Sequence, residues 1–298
     1  MARYYRCYGF TVVCDFELPE LLPITPPARA DVRIAIGAVE RDGLPHGQQL
    51  GRRLWAGGGA LWLHIPGVAR FLISGGDEIR IDPEVGADED SIRLYLLGSA
   101  FGALLFQRGL LVLHGNAVRV GDGCMVCVGH SGTGKSTLAA AFMRRGYPIL
   151  ADDVVPVDDD CMALPGFPRI KLWQDAAERM SIGVDGLRRI RPDMEKFNLP
   201  AFDAFSTQPL PVKWVYVLER HKQEDVLLEP VQGMERFRLL HQNTYRVRFL
   251  RALELKAEHL RLCGRLSARI DMAKLLRPEH GDSVEQLVDR ILADIAGR

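Results

Sequence analysis

Residues Val126 to Arg145 read VCVGHSGTGKSTLAAAFMRR. An apolar run of strand character leads into a Gly129-x-x-x-x-Gly134-Lys135-Ser136 loop, and an alanine- and leucine-rich stretch of helical habit follows. This order constrains the chain more than any other feature, because it predicts a strand feeding the start of a helix through a turn built to hold phosphate. Glycine at 129, 132 and 134 permits backbone angles closed to other residues and lets successive amide N–H groups converge on phosphate oxygens. Lys135 supplies a full positive charge to the outer phosphates, and the Ser136 hydroxyl is placed to ligate the Mg²⁺ that accompanies a nucleotide. The expected nucleotide-binding set is therefore Gly129, Ser131, Gly132, Thr133, Gly134, Lys135, Ser136 and Thr137, with ATP and Mg²⁺ as its ligands.

After the helix, Tyr147 to Ala151 reads as another apolar strand, and it terminates in Asp152-Asp153. Ligands of open α/β sheets collect at the carboxyl ends of strands, so both carboxylates are expected to face the terminal phosphate. One can hold the metal together with Ser136 while the other accepts a proton from an attacking hydroxyl. His114 also stands at a strand end and is the candidate partner of this pair.

The 298 residues suffice for a proper core without disulfide staples. Lys plus Arg and Asp plus Glu both number 38, so nothing global argues for nucleic acid or an anionic membrane as partner. The charge is uneven all the same: from Val231 to Arg277 eleven Lys or Arg face four Asp or Glu. Six cysteines are scattered without the dense spacing of a secreted scaffold, and reduced cytosolic thiols are expected. Cys124 and Cys127 lie three apart on a strand, point to opposite faces and cannot share a metal. Met1 to Leu22 contains Arg3, Arg6 and Asp15 and lacks the apolar core of a signal peptide, so a cytoplasmic chain is expected. Ile92 to Phe106 is apolar but short, which reads as a buried helix rather than a membrane span.

The chain divides into a β-rich N-terminal domain over residues 1–87 and a P-loop domain over 88–298. Short β-like runs at 9–14, 32–36, 61–65, 71–73 and 79–81, punctuated by glycine turns, make up the first. In the second, a helix over 88–109 delivers the chain into a strand at 110–113. Alternation of strand, loop, helix and strand follows, which is the logic of an α/β nucleotide domain. Further strands are expected at 165–173, 212–218 and 268–272, amphipathic helix over 237–263, and a last helix over 283–295 capped by Asp282 or Ser283.

Leu113-His-Gly115, the loop Gly129 to Ser136 and Arg145-Gly-Tyr-Pro-Ile-Leu-Ala-Asp-Asp153 together resemble the catalytic core of the HPr kinase/phosphorylase family, in the same order and at similar spacing. The resemblance implies an HPr-kinase-like α/β fold. It also implies that Asp152 is the base towards the substrate hydroxyl, held by His114, that Lys135 contacts the phosphates of ATP, and that Asp153 lies near the metal. It raises the expectation of a homo-oligomer. The glycine-rich signature those bifunctional enzymes carry downstream is not found, and His130 and Thr137 stand where they often place glutamates. Tyr8-Gly-Phe, Leu18-Pro-Glu-Leu21, Phe167 to Trp173 and His241 to Arg246 resemble HPr-kinase-related proteins encoded with peptide-modification pathways. Lasso-peptide kinases, which phosphorylate the C-terminal serine of a precursor peptide, are among these.

The expected activity is an ATP- and Mg²⁺-dependent serine kinase acting on a peptide or small protein. Arg169, Lys171 and Arg246 are the candidate residues for neutralising the phosphoryl group or an acceptor carboxylate. The alternatives are a kinase of a small-metabolite hydroxyl, an HPr-type protein kinase, and a nucleotide-dependent regulatory switch. A switch needs no base for an alcohol, and the Asp152-Asp153 doublet with His114 tells against it.

Overall fold

The computed structural model describes residues 2–281 and 283–297. Of the two expected caps of the last helix, Ser283 stands at the N-cap position but its side chain makes no capping hydrogen bond, and Asp282 lies outside the described residues.

The first part of the chain folds into one nine-stranded sheet. Its strands are β1 (Arg3–Cys7), β2 (Phe10–Cys14), β3 (Leu22–Pro23), β4 (Val32–Ile36), β5 (Gln48–Gly51), β6 (Leu54–Gly57), β7 (Ala60–Ile65), β8 (Ala69–Ser74) and β9 (Glu78–Pro83). They lie in the order β3-β1-β2-β4-β9-β8-β7-β6-β5. Alternation at Ala69, Phe71 and Ile73 and at Ile79 and Ile81 turns one face inward. The helical stretch expected over 88–109 covers that face as α1 (Glu89–Tyr95), a π turn over Leu96–Ala100 and α2 (Phe101–Gln107). Asp88 caps it by accepting from the Ser91 N–H at 2.7 Å. Leu96, Phe101, Leu104 and Leu105 are wholly buried and share one core with the sheet and with Phe167, Tyr245 and Phe249. Packing is therefore continuous across the expected division at residue 87.

A second, mixed sheet carries β10 (Leu111–Leu113), β11 (Gly115–Val120), β12 (Gly123–Val128), β13 (Ile149–Asp152), β14 (Val155–Val157) and β15 (Met162–Ala163). The chain then forms a two-stranded ribbon, β16 (Arg169–Trp173) and β17 (Lys196–Pro200), and returns to the sheet as β18 (Leu210–His221), β19 (Leu227–Val231) and β20 (Asp271–Pro278). β11 runs antiparallel to both β12 and β13, while β12, β18 and β20 are parallel neighbours. The strand feeding the glycine loop and the strand bearing the aspartates are thus parallel to each other, with β11 inserted between them.

Helices cover both faces of this sheet, which is why β12 is buried along its whole length. On one side α5 (Met234–Gln242) and, after the short α6 (Arg248–Ala252), α7 (Lys256–Ser267) pack against Cys124, Val126 and Val128. On the other, α3 (Lys135–Arg144) and α8 (Val284–Ala296) pack against Met125 and Cys127. Cys124 and Cys127 accordingly end in different cores. The alanines at 139–141 favour α3 as a helix and let it sit close to the sheet, and Phe142 in its last turn is completely buried. Arg145 ties α3 to α8 through Glu285 and Asp289, and Gly146 closes the helix at a φ of +84°. Among the described residues no helix is long and apolar enough to cross a membrane.

Candidate active site

The glycine loop bridges β12 and α3. Gly134 occupies the N-cap of α3 at a φ of +108°, and no side chain caps the helix. Its first N–H groups are therefore left for a ligand, and the dipole of the helix favours an anion there. Lys135 folds back over the loop, and its ammonium donates to the carbonyl oxygens of Gly129 and His130 at 2.8 and 2.9 Å. The Thr133 hydroxyl donates to the His130 carbonyl at 2.9 Å. Burial pulls the Lys135 ammonium below its ordinary value.

The acidic doublet faces this loop. Ser136 donates from Oγ to Oδ1 of Asp152 at 3.0 Å, and the Lys171 backbone N–H donates to Oδ2 of Asp152 at 2.8 Å. Asp153 follows the end of β13 at a φ of +77°, a conformation a residue with a Cβ seldom adopts. This turn sends its carboxylate to different partners: Lys171 Nζ at 2.6 Å and His114 Nδ1 at 3.4 Å. His114 Nδ1 also lies 3.0 Å from the Asp153 carbonyl oxygen. Both of its neighbours are acceptors, so Nδ1 carries the proton. The expectation that His114 holds Asp152 is thus corrected. The imidazole rests on Asp153, and the hydroxyl of Ser136 rests on Asp152.

The two carboxylates are tuned in opposite directions. Burial pushes Asp152 up, with the Lys171 N–H opposing. Burial alone would also raise Asp153, but the Lys171 ammonium and the His114 ring outweigh it and hold it well below the usual carboxylate range. Burial lowers His114 from its ordinary value, against the pull of Asp153.

These groups line a cavity of about 570 Å³ that also receives Ser131, Gly132, Gly134 and Thr137. Gly129 and Thr133 stand behind it, shaping the loop through the hydrogen bonds described. Of the three expected substrate cations, Lys171 reaches the cavity. Arg169 instead packs 4.7 Å above the Phe167 ring, and Arg246 stacks on Tyr245 and Phe249, so neither lines the cavity. Four other cations do line it: Arg179, Lys196, Arg220 and Arg277. With Lys135 and Lys171 they make six Lys or Arg against the four carboxylates Asp152, Asp153, Asp175 and Glu279, a balance suited to a polyphosphate. Arg220, whose guanidinium donates to the Gly132 carbonyl, and Arg277 sit at the carboxyl ends of β18 and β20. A cation closing an apolar strand beside the loop strand is a readable signal for such residues. Lys196 and Arg179 arrive from the ribbon and the short α4 (Gln174–Arg179), and no sequence pattern marks them.

Ser136 Oγ and Asp152 Oδ1 meet a further requirement. Magnesium takes oxygen ligands at about 2.1 Å in an octahedron, whose adjacent ligands lie about 3 Å apart. The 3.0 Å between these two oxygens matches that edge. Asn116 supports the arrangement from β11, completely buried and donating from Nδ2 to the Lys135 carbonyl at 2.5 Å.

No protein-family model matches the chain, and no curated protein matches it in sequence. Among solved structures it is similar to the Hpr(Ser) kinase/phosphatase from Coxiella burnetii. The identity is 15%, the TM-score 0.33, and the match covers 62% of this chain and 93% of that one. A likeness of that size leaves the site to be read from its own geometry. That geometry joins an uncapped helix start, two unlike carboxylates and a set of cations in a single cavity.

Proposed function

We infer that the protein is an ATP- and Mg²⁺-dependent kinase that transfers the γ-phosphoryl group to a serine-type hydroxyl of a peptide or small protein. The observation that carries this reading is the separation of the two carboxylates. Asp152 is bound to Ser136 and nearly enclosed, whereas Asp153 opens to the cavity with its side chain 26% exposed. A nucleotide switch has use for the first and none for the second.

In this reading the loop N–H groups and Lys135 hold the phosphates of ATP, and Arg220 and Arg277 stand over the same oxygens. Ser136 and Asp152 are the residues that would hold magnesium, which would supply positive charge to the phosphates. Asp153 accepts the hydrogen bond of the acceptor hydroxyl and receives its proton as the oxygen bonds to phosphorus and ADP departs. Its low basicity suits the task, because a loose phosphoryl-transfer transition state asks mainly for alignment of the incoming oxygen. His114 and Lys171 fix that carboxylate, one at each oxygen.

The C-terminal serine of a lasso-peptide precursor is one acceptor of this class. The test is mass spectrometry of serine-containing peptides incubated with the protein and MgATP. A gain of one phosphate on serine is expected. ATP turnover that yields only inorganic phosphate, with no peptide modified, would overturn the reading.

A further inference from the structure

The β16–β17 ribbon carries a second feature that the nucleotide cavity leaves unused. Residues two apart on a strand share a face, as do directly paired residues of antiparallel strands. Arg169, Lys171 and Trp173 therefore share a face with their partners Pro200, Asn198 and Lys196. Ile170 and Leu172 point the other way, into the core beside α3. One end of the shared face, Lys171, Trp173 and Lys196, lines the phosphate cavity. The other end, Arg169, Asn198 and Pro200, lines a separate cavity of about 230 Å³.

This smaller cavity is chemically unsatisfied. Glu20, whose side chain is only 8% exposed, uses Oε1 to accept from Arg93 Nε at 3.1 Å and lies 3.9 Å from Arg169 Nη1. Its other oxygen, Oε2, is buried with no hydrogen-bond partner among the described residues, and so is Oδ1 of Asn198. A buried acceptor without a donor is costly, and such atoms in a cavity wall point to a ligand that donates. Two guanidinium groups already face the one carboxylate, so a further cation is disfavoured and a neutral donor is favoured. Arg169, held over the Phe167 ring, offers its own donors to a carbonyl oxygen. Pro200, Leu187 and the half-exposed Phe202 supply apolar walls. A neutral N–H beside a carbonyl, flanked by an apolar side chain, is a unit of peptide backbone.

We propose that the ribbon face is a docking track for the acceptor. An extended peptide would lie along β16–β17, with its serine at Asp153 and a backbone amide gripped by Glu20, Asn198 and Arg169, and an adjacent apolar side chain would rest on Phe202. Lys171, whose ammonium meets Asp153, lies two residues from Arg169 on β16, about 7 Å at about 3.3 Å per residue, and is paired directly with Asn198, so the gripped amide lies within a few residues of the serine. This rests on the kinase reading for its purpose. Binding energy collected at such a distance from the reacting atoms holds the peptide in the site without altering the chemical step.

The test uses the full chain and a positional-scanning library of single-serine peptides about eight residues long, enough to cover both cavities. Affinity is read by fluorescence anisotropy of the labelled peptides, and phosphoserine formation with MgATP is read separately. Asn198→Ala and Phe202→Ala change residues outside the nucleotide machinery and should leave thermal melting unchanged. Each is expected to raise the peptide KM about tenfold, the worth of a lost hydrogen bond or apolar contact, with kcat and the KM for ATP unchanged. Peptide KM values equal to wild type in both variants would overturn the track. So would free amino acids that compete as well as peptides, or no binding by any library peptide. Peptides that bind through these two residues without becoming phosphorylated would sink the kinase reading and leave the track standing. Phosphorylation insensitive to both substitutions would do the reverse.

Discussion

The Ser136 hydroxyl donates to Oδ1 of Asp152 across 3.0 Å, linking the first turn of α3 to the end of β13. The two oxygens belong to elements that line the same cavity, and their spacing matches that of neighbouring ligands on a magnesium ion. Asp152→Asn should therefore act on metal use before anything else. The magnesium concentration for half-maximal activity is expected to rise by about tenfold or more, the usual scale for disturbing a metal's ligand environment. Because burial raises the Asp152 carboxyl, its ionised form costs the apo fold stability at neutral pH. The same variant should melt no lower than wild type in the absence of metal. Activity titrated with Mg²⁺ and a thermal melt in chelator check both.

Lys135 spans the loop from Gly129 to His130 with its ammonium. Lys135→Ala is expected to weaken ATP binding about 10- to 100-fold, as charged hydrogen bonds are each worth about 1.5–3 kcal/mol. Titration calorimetry with ATP reads this directly.

Much of this arrangement was legible in the chain. The apolar run at 123–128, the glycine spacing and the alanine-rich helix are local signals, and each is repeated in the fold. The period of two on β12 was enough to separate Cys124 from Cys127. The doublet at 152 and 153 was legible as a strand end, but its division of labour was not, since it turns on the positive φ of Asp153 and on the side chain of Lys171 arriving 18 residues later. Arg169 and Arg246 belong to the segments that resemble HPr-kinase-related proteins, yet stacking on Phe167 and on Tyr245 takes them elsewhere. Arg220 and Arg277 come from strands more than 80 residues beyond the loop, where only their place at strand ends hints at phosphate. Lys196 comes from KFNLP, a strand with no clean alternation to announce it.

Two glycines of the loop should respond differently to alanine. Gly129 has a φ of +146°, and a Cβ there would stand 2.5 Å from the Leu218 carbonyl oxygen. Gly132, at +82°, meets nothing within 4 Å. Gly129→Ala is expected to lower stability by several kcal/mol, and Gly132→Ala by only about 1–2 kcal/mol, the left-handed backbone cost alone. Denaturant melts of the two variants separate clash from strain.

His259 sets a pH dependence remote from the site. Burial, with a smaller contribution from the nearby His241, pulls its ring down to about 4. The Thr244 hydroxyl lies 3.1 Å and the Cys263 sulfur 3.4 Å from its Nε2. The unfolded ring titrates near 6.5, so between about 6.5 and 4 the unfolded state binds the extra proton and stability falls as pH falls. The loss across that window is on the order of 3 kcal/mol. His259→Gln should flatten this part of the stability–pH curve, measured by denaturant unfolding at successive pH values.

The sharpest test is transfer of label from [γ-³²P]ATP to a serine peptide by the wild type and by Asp153→Asn, with ATP affinity measured alongside. The expected result is labelled serine from the wild type and a fall in turnover of about 10²–10⁴ in the variant, the usual size of a general-base effect, with ATP affinity preserved. An Asp153→Asn protein that labels serine at the wild-type rate would contradict the assignment of Asp153 as the residue that receives the hydroxyl proton.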